Sequence, residues 1–166
     1  MNRLARIGTH LIRTYFPELQ QERFIFEIQK GKDWYLLYDP DVPRRIHHIK
    51  CEPAYVILPE AILTGGIAHE LSHAVRDIPL LKRGTIMALG TKYNTNLKAR
   101  VADERATDML VITRGLGHAL LASAEWQFET GGKKWKPDFG LHPTEIRAIL
   151  AQQANGTLKT PSGRYR

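Results

Sequence analysis

The sequence has one cysteine, Cys51, among 166 residues. That excludes an internal disulfide and a zinc ribbon of several cysteines, and it argues against a secreted, disulfide-held scaffold. Long hydrophobic runs are also missing. Ala54–Leu58, Ile67–Ala68 and Leu120–Ala122 fall far short of the roughly 20 apolar residues that a spanning helix needs. The start, Met1–Ile7, carries charge but no continuous apolar segment, so it does not read as a secretory signal. The expectation is a cytoplasmic protein with no membrane span. Nor is there a basic run with interleaved aromatics. The excess of 24 Lys plus Arg over 17 Asp plus Glu, net +7, is spread over Arg44-Arg45, Lys82-Arg83, Lys133-Lys134, Lys136 and the tail. This scatter argues against nucleic-acid binding as the main role, although a positive balance suits acidic partners.

What is present is an ordinary globular composition, 43% hydrophobic and 25% charged, of a length that suits one domain. Leu4, Ile7, Leu11 and Tyr15 recur at helical spacing and predict a helix over 3–16, stopped by Pro17. Phe24–Ile28 and Trp34–Tyr38 read as strands joined in a hairpin through Lys30–Asp33, with a break at Asp39–Pro43. Arg45–Lys50 and Ala54–Leu58 are further strand candidates. From Pro59 the texture turns helical. One helix is expected over 59–77, with Gly65-Gly66 able to delay its start, followed by a loop over 79–93. Others are expected over 97–114, with N-cap candidates in Asn94–Asn96 and Gly115 closing it, then over 116–129 and 143–153. The fold class expected is α+β. An N-terminal helix and a small antiparallel sheet precede a helical half, in a single domain over 1–154 with a loose basic tail over 155–166.

The pentapeptide His69-Glu70-Leu71-Ser72-His73 carries the chemistry. On a helix, residues i and i+4 share a face about 6 Å apart along the axis, so two imidazoles can grip one ion. Glu70 then stands beside the ion's open position, where it can take a proton from bound water. Zinc suits this spacing, because it accepts imidazole nitrogens and keeps one position open in catalytic sites. The plain alternative is a pair of hydrogen-bonded core histidines. Unpaired buried polar groups cost about 1–3 kcal/mol each, so either way the imidazoles need partners.

Two imidazoles leave an ion under-coordinated. In the next predicted helix Leu97, Val101, Glu104, Asp108 and Val111 lie on one face, so two carboxylates interrupt an apolar stripe. Buried carboxylates require a cation, a hydrogen-bonded histidine, or a salt bridge to Arg76 or Arg100. The two segments together resemble the gluzincin zinc metallopeptidases, in which a His-Glu-x-x-His helix is followed by a helix bearing Glu-x-x-(Ser/Ala)-Asp. Here the second segment reads Glu104-Arg105-Ala106-Thr107-Asp108. The resemblance implies Glu104 as third ligand and Asp108 as the group that holds a ligand histidine in its tautomer. It implies a substrate-binding edge strand at Tyr55, Val56 and Ile57. His142-Pro143-Thr144-Glu145-Ile146-Arg147 is similar to a His-Pro-x-x-x-x-Arg stretch of the membrane prenyl-protein and heat-shock peptidases, with one residue fewer before the arginine. The soluble minigluzincins are the closer analogy. Spacing assigns no oxyanion donor, and His118, His142, Arg147 and Tyr93 are the candidates.

The implied function is zinc-dependent hydrolysis of a peptide or protein substrate, with Zn²⁺ held by His69, His73 and Glu104 and with Glu70 as general base. The rival is a zinc-stabilised regulatory or binding domain without turnover, associating with nucleic acid or an acidic partner. Two smaller expectations complete the reading. His47 and His48 point apart on a strand and form a surface patch, and Cys51 is a buried small hydrophobe.

Overall fold

The computed structural model describes residues 2–30, 35–84, 95–130, 136 and 140–156. Helix α1, Arg3–Tyr15, begins where the Asn2 side chain accepts the Ala5 amide at 2.8 Å. It ends at Phe16, whose backbone leaves the helical region ahead of Pro17, because the proline ring crowds a helical predecessor. Leu4, Ile7 and Leu11 are buried as the stripe predicts. A 3₁₀ turn, Pro17–Leu19, leads into the sheet.

Strands β1 (Arg23–Ile28), β2 (Leu36–Asp41) and β3 (Ile46–Cys51) form one sheet in the order β1-β3-β2. The expected hairpin between the first two strands does not form. β3 lies between them, parallel to β1 and antiparallel to β2, so the sheet is mixed rather than antiparallel. The expected break at Asp39–Pro43 comes later, because β2 continues through Pro40 to Asp41. β2 is an edge strand, where a proline whose nitrogen faces away from its neighbour removes no ladder bond.

The strand expected at Ala54–Leu58 is overturned. Pro53–Val56 forms one helical turn, α2, with Pro53 at its start and Tyr55 completely buried. Tyr55 is held by its hydroxyl, 2.7 Å from Ser123 Oγ, and by stacking on Tyr35 and an edge contact with Trp126. These tertiary partners outweigh the β-branched, aromatic texture of the segment. Ile57, 78% exposed, lies just beyond.

Helix α3, Glu60–Lys82, starts before Gly65-Gly66 and runs through Pro79. Neither glycine delays it. A Cβ on Gly65 would strike the Ala119 carbonyl, and one on Gly66 would crowd Leu36 and the Tyr55 hydroxyl, so both permit close approach to α3. Pro79 stands on an exposed face of the last turns, where its missing N–H is least costly. The loop expected over 79–93 therefore begins as helix over 79–82, and residues 85–94 lie outside the described residues.

Helix α4, Leu97–Val111, is capped by Asn96, which accepts the Ala99 amide at 3.1 Å. The helical path continues through Ile112–Arg114 and breaks at Gly115, whose φ of 81° is the left-handed kink of the closing glycine expected there. Helix α5, Gly117–Glu125, continues into a π-helical turn, Trp126–Thr130. Helix α6, Pro143–Ala154, matches its expected bounds within a residue. Most of the tail, residues 157–166, lies outside the described residues. The architecture is α+β: an N-terminal helix and a three-stranded sheet around the long helix α3, with α4 and α5 packed on its other sides. Leu63, Ile67 and Leu71 of α3, Leu4 and Leu11 of α1, Ile49 of β3 and Ile146 of α6 share its core. Cys51 is fully buried, as expected, and burial pushes its thiol up to about 12.

Candidate metal centre

One turn of α3 separates His69 from His73, and their Nε2 atoms stand 3.1 Å apart. α4 packs beside α3 and presents Glu104 Oε2 at 3.2 Å from His69 Nε2 and 3.5 Å from His73 Nε2. Among the described residues these three form the only such cluster, and it could hold a metal ion. The spacing can be tested against coordination chemistry. Four ligands at roughly 2.0–2.2 Å from a tetrahedral ion lie about 3.3–3.6 Å apart. One observed edge, 3.5 Å, falls in that range and the other two, 3.1 and 3.2 Å, fall slightly below it, so a small shift of the side chains would fit a small tetrahedral cation.

The second carboxylate of the stripe has a different place. Asp108, 3% exposed, sets Oδ1 at 2.8 Å from His69 Nδ1. A carboxylate can only accept here, so Nδ1 carries the hydrogen and the Nε2 lone pair turns inward. Asp108 Oδ2 accepts the Leu141 amide at 2.7 Å. His73 Nδ1 has looser company: Asp103 Oδ2 at 3.5 Å and Thr107 Oγ1 at 3.4 Å. Asp103 is ion-paired to Arg76, so Arg76 faces Asp103 and not the stripe carboxylates. Asp103 was not on the Leu97–Val101 stripe. The available signal was its position next to Glu104, about 100° around α4, which reaches the neighbouring ring from the side.

The electrostatics follow from this crowding. Burial works against a charged His69, but the hydrogen bonds with Asp108 and Glu104 outweigh it and hold its pKa well above the usual histidine value. For His73 burial is likewise overcome by Asp103 and Glu104, which raises it to about 9. Burial alone would raise Glu104; the two imidazoles reverse that and hold it far below the carboxylate range. The imidazoles and carboxylates thus favour one another's charged forms, and the same group could hold a cation.

Glu70 points to neither imidazole. Its Oε2 accepts the backbone N–H of Tyr38 at 2.7 Å, at the edge of β2 that β3 does not use. The Glu70 carboxylate is therefore beside the triad in sequence but tied to the sheet in space. No sequence pattern announced this, because β2 and α3 meet only through the tertiary fold. Tyr38 is further fixed by its hydroxyl, 3.0 Å from His47 Nδ1.

Several sequence candidates lie elsewhere. Tyr55, Val56 and Ile57 are not a strand, and the edge of β2 that carries the Tyr38 amide has no strand partner among the described residues. His142 caps α6, its ring accepting the Thr144 amide at 3.2 Å. Arg147 is ion-paired with Glu125 and Glu129. His118 is exposed on α5. None of the three belongs to the triad, and Tyr93 lies outside the described residues. His47 does not form a surface patch. It is 3% exposed, stacked on Phe24, and burial lowers its pKa. His48 is half-buried beside Glu27.

Comparison of the chain with protein-family models, with curated proteins and with solved structures finds no match.

Proposed function

We propose that this chain is a zinc-dependent peptidase of the gluzincin kind, with Glu70 as general base. The observation that supports the reading best is the pairing of two features. His69, His73 and Glu104 are spaced close to three corners of a tetrahedral site, and the residue after the first ligand, Glu70, is a carboxylate that takes no part in the cluster and is held by the Tyr38 amide. A bound zinc ion supplies a Lewis acid and a water whose pKa is lowered to about 7. Asp108 and Asp103 hold the ligand rings in their tautomers. With the ion bound, Glu70 would be the group that accepts the water's proton and passes it to the leaving amine. With Oε2 on the Tyr38 amide, Oε1 is left to do this work. An extended peptide would add to the outer edge of β2 as an extra strand, in place of the Tyr55–Ile57 segment expected from sequence.

One observation favours the rival reading of a zinc-stabilised binding domain. The bond from Tyr38 N–H gives Glu70 a structural task that needs no turnover. Glu70→Gln separates the two readings. The amide oxygen can still accept the Tyr38 N–H, so zinc content and thermal stability stay near wild type. It cannot accept a proton, so cleavage of a diverse peptide library at matched zinc occupancy should fall by about 10²–10⁴-fold. Cleavage at the wild-type rate sinks the peptidase mechanism, and a zinc-loaded wild type that cleaves nothing favours the binding domain.

A further inference from the structure

Asp108 is bonded at both ends. Oδ1 meets His69 Nδ1, and Oδ2 takes the Leu141 amide at 2.7 Å, with Leu141 itself 2% exposed. A carboxylate anchored by one oxygen can turn about its last bond. Anchored by both, it keeps its plane and aims a lone pair at the ring nitrogen. The Leu141 amide reaches Asp108 because Gly140 is buried against it with φ 92°, and a Cβ at Gly140 would overlap Oδ2. Only glycine adopts that backbone readily, and only glycine leaves room for the carboxylate.

The next amide is held as well. His142 N–H donates to Glu145 Oε2 at 2.9 Å, and Glu145 pairs through both oxygens with Arg105, at 2.8 and 3.1 Å. Arg105 and Asp108 are three residues apart on α4, so they are near neighbours along one side of the helix. Two successive backbone amides, Leu141 and His142, are thus tied to α4, one directly and one through an ion pair.

We propose that Gly140–Glu145 is a strap that orients the metal ligand His69 through Asp108, with Gly140 and Leu141 as positioning residues. The inference rests on the metal-site reading above and extends the site to a segment about 70 residues away in sequence. Metal affinity then depends on a glycine that touches no ligand.

The test is zinc titration by competition with a chromophoric chelator, on the full chain. It uses wild type, Gly140→Ala, Glu145→Ala, Asp108→Ala and the double variants with Asp108→Ala. Cobalt(II) absorption of each variant reports ligand geometry. Gly140→Ala should weaken zinc binding by about 10–100-fold, the range usual for loss of a group behind a metal ligand, and should alter the cobalt bands. Glu145→Ala, which frees the strap's far end without touching Asp108, should cost less. In the Asp108→Ala background neither change should cost anything further, because the strap acts through that carboxylate. Should Gly140→Ala fail to fold, the Glu145→Ala cycle carries the same comparison. A wild type that binds no zinc overturns the metal reading and the strap with it. A wild type that binds while both strap variants bind equally well overturns the strap alone. So does a loss that persists undiminished without Asp108.

Discussion

The triad's proton makes zinc binding depend on pH in a way an ordinary histidine site would not. His69 and His73 both lie above the usual histidine pKa in the metal-free protein, His73 at about 9. Their Nε2 atoms are 3.1 Å apart, too close for two N–H groups aimed at one another. One proton is therefore shared at this face, next to Glu104, and zinc must displace it. At pH 7, well below the value of about 9 for His73, that proton stays bound and opposes zinc. The apparent zinc affinity at pH 7 should be about 100-fold below its plateau above pH 9. Histidines of ordinary pKa, about 6.5, would leave a deficit of about 1.3-fold. Chelator competition from pH 6 to 10 reads this as a slope of about one in log affinity through pH 7–8.5. A curve flat above pH 7 would show that the cluster holds no such proton. A slope of two would show that both rings stay protonated despite their approach. The linked stability has a definite sign. A raised folded pKa means the cluster stabilises the metal-free fold fully below about pH 6.5 and loses that contribution as pH rises through about 9. The rise in melting temperature on adding zinc should therefore widen as pH increases.

Three other outcomes follow from the same contacts. Glu104→Ala should abolish stoichiometric zinc, whereas Asp108→Ala should weaken it about 10–100-fold; Asp103→Ala should cost less, since its contact with His73 is 3.5 Å against 2.8 Å for Asp108 and His69. Equal losses for Asp103→Ala and Glu104→Ala in zinc titration would contradict the arrangement on α4. Gly65→Ala, one turn before His69 on α3, should destabilise the fold by about 1–3 kcal/mol or more in denaturant unfolding, because the new Cβ meets the Ala119 backbone. Glu70→Gln should leave both zinc content and melting temperature near wild type while turnover falls, and a large drop in melting temperature would mean that Glu70 serves the sheet first.

The parts legible in the sequence were those set by one helix at a time. The period of α1 placed Leu4, Ile7 and Leu11 inside, and His69, His73, Glu104 and Asp108 came from i, i+4 reasoning on α3 and α4. Contacts between distant segments were not legible. Nothing in Phe24–Ile28 or Leu36–Asp41 says that β3 inserts between them. A short polar link suggested a hairpin, and the non-local pairing won. Tyr55–Ile57 reads as a strand by composition, but Pro53 and the Ser123 and Trp126 contacts of Tyr55 make it a helical turn with only Tyr55 buried. Gly65-Gly66 looked like a helix breaker because propensity counts only the helix itself, whereas their value lies in what α5 and Tyr55 can approach. Tyr38 and Leu141 were missed because each reaches the site from a neighbouring element; Asp103, a rival oxygen ligand set aside for lying off the stripe, reaches His73 from the side of its helix.

Among the described residues no strand pairs with the outer edge of β2, and on the peptidase reading that edge limits how a peptide could lie beside Glu70. Side-by-side alternation in an antiparallel pair turns the N–H and C=O of one residue to the same side. Tyr38 N–H faces Glu70, so Leu36, Tyr38 and Pro40 present the outer edge, while Leu37 and Asp39 face β3. Pro40 has no N–H, which leaves two outward amides, at Leu36 and Tyr38. Glu70 already takes the second. A peptide adding to this edge therefore finds the Leu36 amide and the outward carbonyls, and it can gain the Tyr38 amide only by displacing Glu70 Oε2. That exchange would release the carboxylate beside the triad at the moment an extended chain arrives. Pro40 also blunts the edge against pairing with other strands, as edge prolines do. On the peptidase reading, the strand that receives the substrate and the group that activates water are joined through one hydrogen bond. A binding domain would have no reason to break it.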